Sequence, residues 1–181
     1  MVWIILLVVV LIVGLLIALY NKLAQQKVLV NEASADIETF LKQRYDMIPN
    51  LVEIVKGYAK HEQDTFTKVT EMRTKAMSAG TLEEKMKYEK ELSGAVTNLL
   101  AVAENYPELK ANENFKELQT GLKDLEDNIQ KSRRFYNGTV RDFNSMIAVF
   151  PNNLIAGIFG YKAMSFFEAS EEEKENVKIK F

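Results

Sequence analysis

Apolar positions recur every three to four residues along most of this chain, and in its first twenty residues they are barely interrupted. Val2, Trp3, Ile4, Ile5, Leu6, Leu7, Val8, Val9, Val10, Leu11, Ile12, Val13, Gly14, Leu15, Leu16, Ile17, Ala18 and Leu19 form one run with no polar side chain. At helical rise that run covers about 27 Å, close to the roughly 30 Å hydrocarbon core of a bilayer. Lipid offers backbone groups no partners, so the segment is predicted to cross as a single helix. Trp3 and Tyr20 stand near its two ends, where amphipathic rings favour the membrane interface. A cleavable signal peptide would need a basic leading region and a small residue at the cleavage position. Ala18-Leu19-Tyr20 does not supply that residue, and residues 1–20 are therefore expected to be a retained anchor.

Beyond Tyr20 the period is helical. Val30, Ala33, Ile37 and Leu41 keep a three-to-four spacing that continues through Ile48, Leu51, Val55, Ala59, Phe66, Val69 and Ala76. Leu82, Leu92, Val96, Leu99 and Ala103 make a second seam, and Phe115, Leu118, Leu122, Leu125, Ile129, Tyr136, Val140, Phe143, Ile147 and Phe150 a third, coiled-coil-like one. Ser78-Ala79-Gly80-Thr81, Tyr106-Pro107 and Phe150-Pro151 punctuate them, and Asn112 or Asn114 can cap the last helix. At Asp46-Met47-Ile48-Pro49 two outcomes are open. Asp can cap and Pro can open a new helix, or one helix can pass with Pro49 on its outer face. Length favours a reversal there, because helices over 24–46, 50–78, 82–105 and 112–149 stand well side by side. The predicted fold is all-α: an up-and-down, antiparallel bundle of about four long helices over residues 21–168, preceded by the transmembrane helix and followed by a tail over 169–181. That tail begins acidic and ends in the alternation Val177-Lys178-Ile179-Lys180-Phe181, which suits an extended segment. The aromatic stretch Gly157–Tyr161 with Phe166 and Phe167 is expected to cover an end of the bundle rather than enter lipid.

Charge changes this picture in two ways. All 23 basic and 25 acidic residues lie beyond Tyr20, and the net charge of −2 gives no electrostatic case for nucleic acid. Lys22, Lys27, Lys42 and Arg44 follow the span while none precedes it, so the positive-inside rule puts the N-terminus outside and the bundle in the cytoplasm. Second, turning residues by 100° places Arg44, Glu62, Arg73, Glu89, Glu126 and Arg133 on core-facing seams. Inter-helix ion pairs that fix register are the expected arrangement, because unpaired charges there would cost several kcal/mol each. Glu62, Glu89 and Glu126 fall at similar heights, as carboxylates of a di-metal bundle would. That chemistry needs two E-x-x-H pairs, which are missing, and Arg133 would compete; no metal is expected.

Other chemistry is thin. The absence of Cys excludes disulfides and thiol catalysis, and the single His61 opens HEQDT rather than a zinc helix. No nucleophile elbow or phosphate-binding glycine loop occurs. No catalytic residue and no cofactor is expected. The helix surface from Asp46 through Asn50, Glu53, Lys56 and Lys60 suits a solvated face.

Specific residues nevertheless resemble a known family. Tyr20-Asn21-Lys22-Leu23, Arg44-Tyr45-Asp46-Met47-Ile48-Pro49-Asn50-Leu51-Val52, Lys56-Gly57-Tyr58-Ala59, Ala103-Glu104-Asn105-Tyr106-Pro107-Glu108-Leu109-Lys110-Ala111-Asn112, Arg133-Arg134-Phe135-Tyr136-Asn137 and Val140-Arg141-Asp142-Phe143-Asn144 look like the signature of the LemA family. A second arginine expected beside Arg44 is replaced in Lys42-Gln43-Arg44. The resemblance implies a bacterial membrane protein with one N-terminal span, a helical bundle and no established activity or ligand. Some relatives are tied to membrane-bounded organelles. The expected role is therefore a protein-interaction or membrane-organising module that contacts the bilayer and an unidentified protein partner, with self-association compatible. An enzyme with an unfamiliar, metal-dependent site, or direct lipid remodelling, is the alternative.

Overall fold

A computed structural model of the chain describes residues 1–167, so the tail expected over 169–181 lies outside the described residues. Six helices follow one another among the described residues: α1 Val2–Tyr58, α2 Gln63–Ser78, α3 Leu82–Ala103, α4 Pro107–Ala111, α5 Glu113–Ala148 and α6 Asn152–Phe159. No strand occurs among the described residues. The chain divides into two compact units, one over Glu38–Gln130 and one formed by Met1–Ile37 with Lys131–Phe166. Helices α1 and α5 each contribute to both.

The unit over Glu38–Gln130 is an up-and-down bundle. Arg73 of α2 reaches the Tyr45 carbonyl of α1, so α2 runs back along α1. Lys85 meets Glu38 and Arg44 meets both Glu89 and Ser93, so α3 runs parallel to that part of α1. Asn112 bonds Tyr58 and Arg44 pairs with Glu126, so α5 runs antiparallel to it. Each helix turns one apolar stripe inward: Leu41, Ile48, Leu51 and Val55 from α1; Phe66, Val69 and Met72 from α2; Leu92 and Leu99 from α3; Phe115, Leu125 and Ile129 from α5. The turns carry local chemistry. Thr81 caps α3 by accepting from the Glu84 amide, while the Glu84 carboxylate accepts from the Gly80 amide. Asn112 caps α5 through the Phe115 amide.

The expected reversal at Asp46–Pro49 is not there. Helix α1 passes through Pro49 and ends at Tyr58, and the chain turns over residues 59–62 instead. Proline removes the donor that would serve the carbonyl four residues earlier, which is that of Tyr45. Arg73 Nε donates to that oxygen at 2.7 Å, replacing the lost helical bond from across the bundle. Pro49 itself is exposed, so its ring meets no neighbour on the packed face. Moving the turn to residues 59–62 also resolves the length problem: only α1's last stretch serves this bundle, against a 16-residue α2 and a 22-residue α3.

The second unit pairs the first part of α1 with the end of α5 and with α6. Gln26 donates to the Thr139 carbonyl, and Phe143 packs edge-on against Tyr161. Leu23 forms a small core with Ile155 and Ala156 of α6, joined by Leu19, Met146, Ile147 and Tyr161. Gly160 ends α6 with φ 70°, a left-handed conformation that a side chain would strain. Past it the chain is strapped along α5. The Asn144 side chain both donates to the Met164 carbonyl and accepts from its amide, at 2.9 and 2.8 Å, and the Tyr136 hydroxyl donates to the Ser165 carbonyl.

Candidate functional site

The densest polar chemistry of the bundle centres on Arg44. It stands on the inward stripe of α1 between Leu41 and Ile48, so the helix has no choice but to bury it, at 4% exposure. Its Nη1 lies 3.2 Å from a Glu89 carboxylate oxygen of α3 and 3.2 Å from a Glu126 oxygen of α5. Its Nη2 donates to Ser93 Oγ at 2.8 Å, and the Tyr45 hydroxyl donates to the other Glu89 oxygen. One guanidinium fork thus ties three helices, a task its planar array of donors suits and a lysine's point charge does not. Glu89 is fully buried, whereas Glu126 is partly open to solvent. Two carboxylates about one guanidinium leave a local excess of one negative charge. The Tyr45 hydroxyl gives Glu89 a second donor, and Glu126 is partly open to solvent.

A groove of about 910 Å³ opens beside this cluster between α3 and α5. Arg44 and Ser93 reach it, Val96, Leu100 and Leu122 give it apolar wall, and Gln119, Lys123, Asp124 and Asp127 form its rim. Its lining mixes apolar wall with hydroxyl-bearing and charged side chains.

The six seam charges expected from the sequence do not all meet. Arg44, Glu89 and Glu126 come together, and Arg73 serves the Tyr45 carbonyl one residue away. Glu62 does not join them. The α1–α2 turn falls at residues 59–62, which lifts Glu62 off the helical phase that predicted its direction and leaves it half-buried just before α2. His61 is exposed in the same turn. Arg133, half-buried, belongs to the other unit. The imagined meeting of Glu62, Glu89 and Glu126 is therefore absent, and the space between the last two holds a guanidinium. Tyr45 and Ser93 were overlooked. Both stood in reach of the same reasoning: Ser93 is one turn beyond Glu89 on α3, and Tyr45 is buried beside Arg44.

The first helical stretch carries the other candidate surface. From Val2 to Ile17 every large apolar side chain is exposed, from 43% at Leu16 to 83% at Trp3, and none of this stretch is buried within the protein. It is the one described helix long and apolar enough to cross a membrane.

Comparison with known proteins adds the following. The sequence profile of the LemA family matches residues 33–181. The magnetosome protein MamQ 2 of Paramagnetospirillum magneticum is 27% identical over 182 residues, covering 86% of this chain and 67% of that protein. The magnetosome protein MamQ of Magnetospirillum gryphiswaldense is 25% identical, over 74% of this chain and 58% of its own length. Protein LemA of Metamycoplasma hominis is 27% identical over 158 residues, covering 87% of this chain and 72% of that protein.

Proposed function

The chain belongs to the LemA family, and on that premise we propose that it is a single-pass membrane protein whose cytoplasmic helical bundle works as a protein-interaction or membrane-organising module. The observation that carries this reading is the uncovered apolar stretch of α1. The large apolar side chains from Val2 to Ile17 are 43–83% open, and keeping that surface in water would cost on the order of 20 kcal/mol. A bilayer removes that cost, and the stretch, already helical, satisfies its own backbone there. The same helix, α1, contributes both the apolar stretch and, from Glu38 to Tyr58, one helix of the bundle. Its chemistry fits binding: the buried polar groups hold helices together, and the open groove offers mixed polar and apolar contacts. The names of the magnetosome relatives agree with a role at a membrane-bounded structure. Lysines following the span support the cytoplasmic side.

The test is photocrosslinking in native membranes from single positions in the full chain. Gln119 on the groove rim is compared with exposed Lys87 on α3. Discrete adducts that depend on position support a protein-interaction module. Absence of adducts from both positions, with turnover of a small molecule by the purified chain, would contradict it.

A further inference from the structure

We propose that α6 is a second membrane contact: an interfacial helix that lies among the headgroups of the bilayer crossed by α1 and buries Leu154, Ile158 and Phe150 in lipid. This rests on the membrane-spanning reading of Val2–Leu19. From Phe143 to Tyr161 the chain carries no charged side chain. A water-exposed helix of a bundle is charged on its outer side, whereas α6 is apolar all round except for its first two asparagines. Its inner side, Ile155 and Ala156, is buried against Leu23 with Leu19 alongside. Its outer side, Leu154 and Ile158, is exposed at 56% and 75%, and Phe150 just before it at 78%. Leu154 and Ile158, four residues apart, form one stripe on a shared face of α6, and exposed Phe150 lies in the turn that leads into it.

The position of that stripe identifies what covers it. Phe159 rests on Tyr20 with ring centroids 4.6 Å apart, and Leu19 to Leu23 are the residues at which the apolar run of α1 gives way to charge. α6 is thus docked at the level where the span leaves the hydrocarbon, and its open stripe continues the apolar surface of the anchor. The surroundings match an interfacial helix. Tyr20 and Tyr161 place hydroxyl-bearing rings there, Lys27 Nζ stands 5.5 Å from the Tyr161 ring centre, and exposed Lys22 and Lys162 supply cations for lipid phosphates. Burial also holds the Tyr161 phenol above its ordinary range, as an apolar setting would.

Depth measurement on the full chain tests this, because the sequence has no cysteine to remove. Leu154→Cys and Ile158→Cys are spin-labelled and reconstituted in vesicles of three parts phosphatidylcholine to one part phosphatidylglycerol. Leu11→Cys serves as the lipid reference and Glu117→Cys as the aqueous one. The ratio of oxygen to nickel-chelate accessibility at both α6 positions is expected to exceed that at Glu117→Cys by about threefold and to approach that of Leu11→Cys. An aqueous ratio at α6 with a lipid ratio at Leu11→Cys overturns the proposal and leaves the span intact. Low access to both reagents with spin–spin broadening also overturns it, in favour of a second copy on this face. An aqueous ratio at Leu11→Cys overturns the span and this proposal together.

Discussion

Arg73 should matter because of Pro49, and that dependence can be measured. In an uninterrupted helix the amide of residue 49 would bond the Tyr45 carbonyl; proline has no such donor, and Arg73 Nε stands at 2.7 Å in its place. A hydrogen bond from a charged group to a half-buried carbonyl contributes roughly 1.5–3 kcal/mol. Arg73→Met keeps the apolar stem and removes the donor, so it should destabilise the bundle by about 2 kcal/mol. Pro49→Ala restores the helical N–H to the same oxygen, and in that background Arg73→Met should cost less than about 1 kcal/mol. The coupling in the double-mutant cycle is then about 1–2 kcal/mol, well above the few tenths expected of independent sites. Urea unfolding of the four full-length chains in mild detergent, followed by helical circular dichroism, supplies all the terms. An equal cost of Arg73→Met in both backgrounds would refute the reasoning.

Three further outcomes follow from particular contacts. Arg44→Met leaves fully buried Glu89 without its guanidinium and should cost about 3–5 kcal/mol, while the double change Arg44→Met/Glu89→Met should recover at least half of that in the same unfolding assay. A double variant no more stable than the single one would show that the ion pair is not the source of the loss. Gly160→Ala places a side chain at φ 70° and should destabilise the unit containing α6 by about 1 kcal/mol, read as faster amide exchange at Ala156 and Tyr161; unchanged exchange would contradict this. Burial holds the Tyr136 phenol above its ordinary value near 10. The unfolded chain therefore loses that proton first, and stability should fall as pH rises past 10, through the interval up to the raised folded value. Tyr136→Phe should flatten that alkaline decline and cost about 1 kcal/mol at neutral pH through the lost bond to Ser165; an unaltered alkaline slope would exclude Tyr136 as its source.

Much of the fold was written in the period of the apolar residues, because a helix in a bundle has to show one stripe to its neighbours. The turn at 78–81 and the cap at Asn112 were readable for a local reason, since short polar side chains bond nearby amides; the cap at Thr81 emerged only from the structure. Pro49 was not readable. Whether a proline breaks a helix depends on whether something distant serves the abandoned carbonyl, and here that is Arg73, 28 residues away from Tyr45. The candidate site shows the same division. Periodicity turned Arg44, Glu89 and Glu126 inward, but only the packing of α3 and α5 on α1 could say that they share one guanidinium. Glu62 was misplaced because its direction was extrapolated along a helix that had already ended. The open stripe of α6 was hidden for another reason: Leu154 and Ile155 are adjacent and equally apolar, and only the docking of Ile155 on Leu23 distinguishes the covered side from the open one.

The bundle is proposed to lie on the cytoplasmic side, held there by the first eighteen or so apolar residues of α1. One labelling experiment tests it most directly. Full-length protein carrying Glu117→Cys, an exposed position on α5, is treated with a membrane-impermeant maleimide in intact and in permeabilised cells, and the membranes are then extracted with alkaline carbonate. The account predicts that the protein stays with the membranes and that the thiol reacts only after permeabilisation. Labelling of intact cells would put the bundle on the other side, and release into carbonate would remove the span itself.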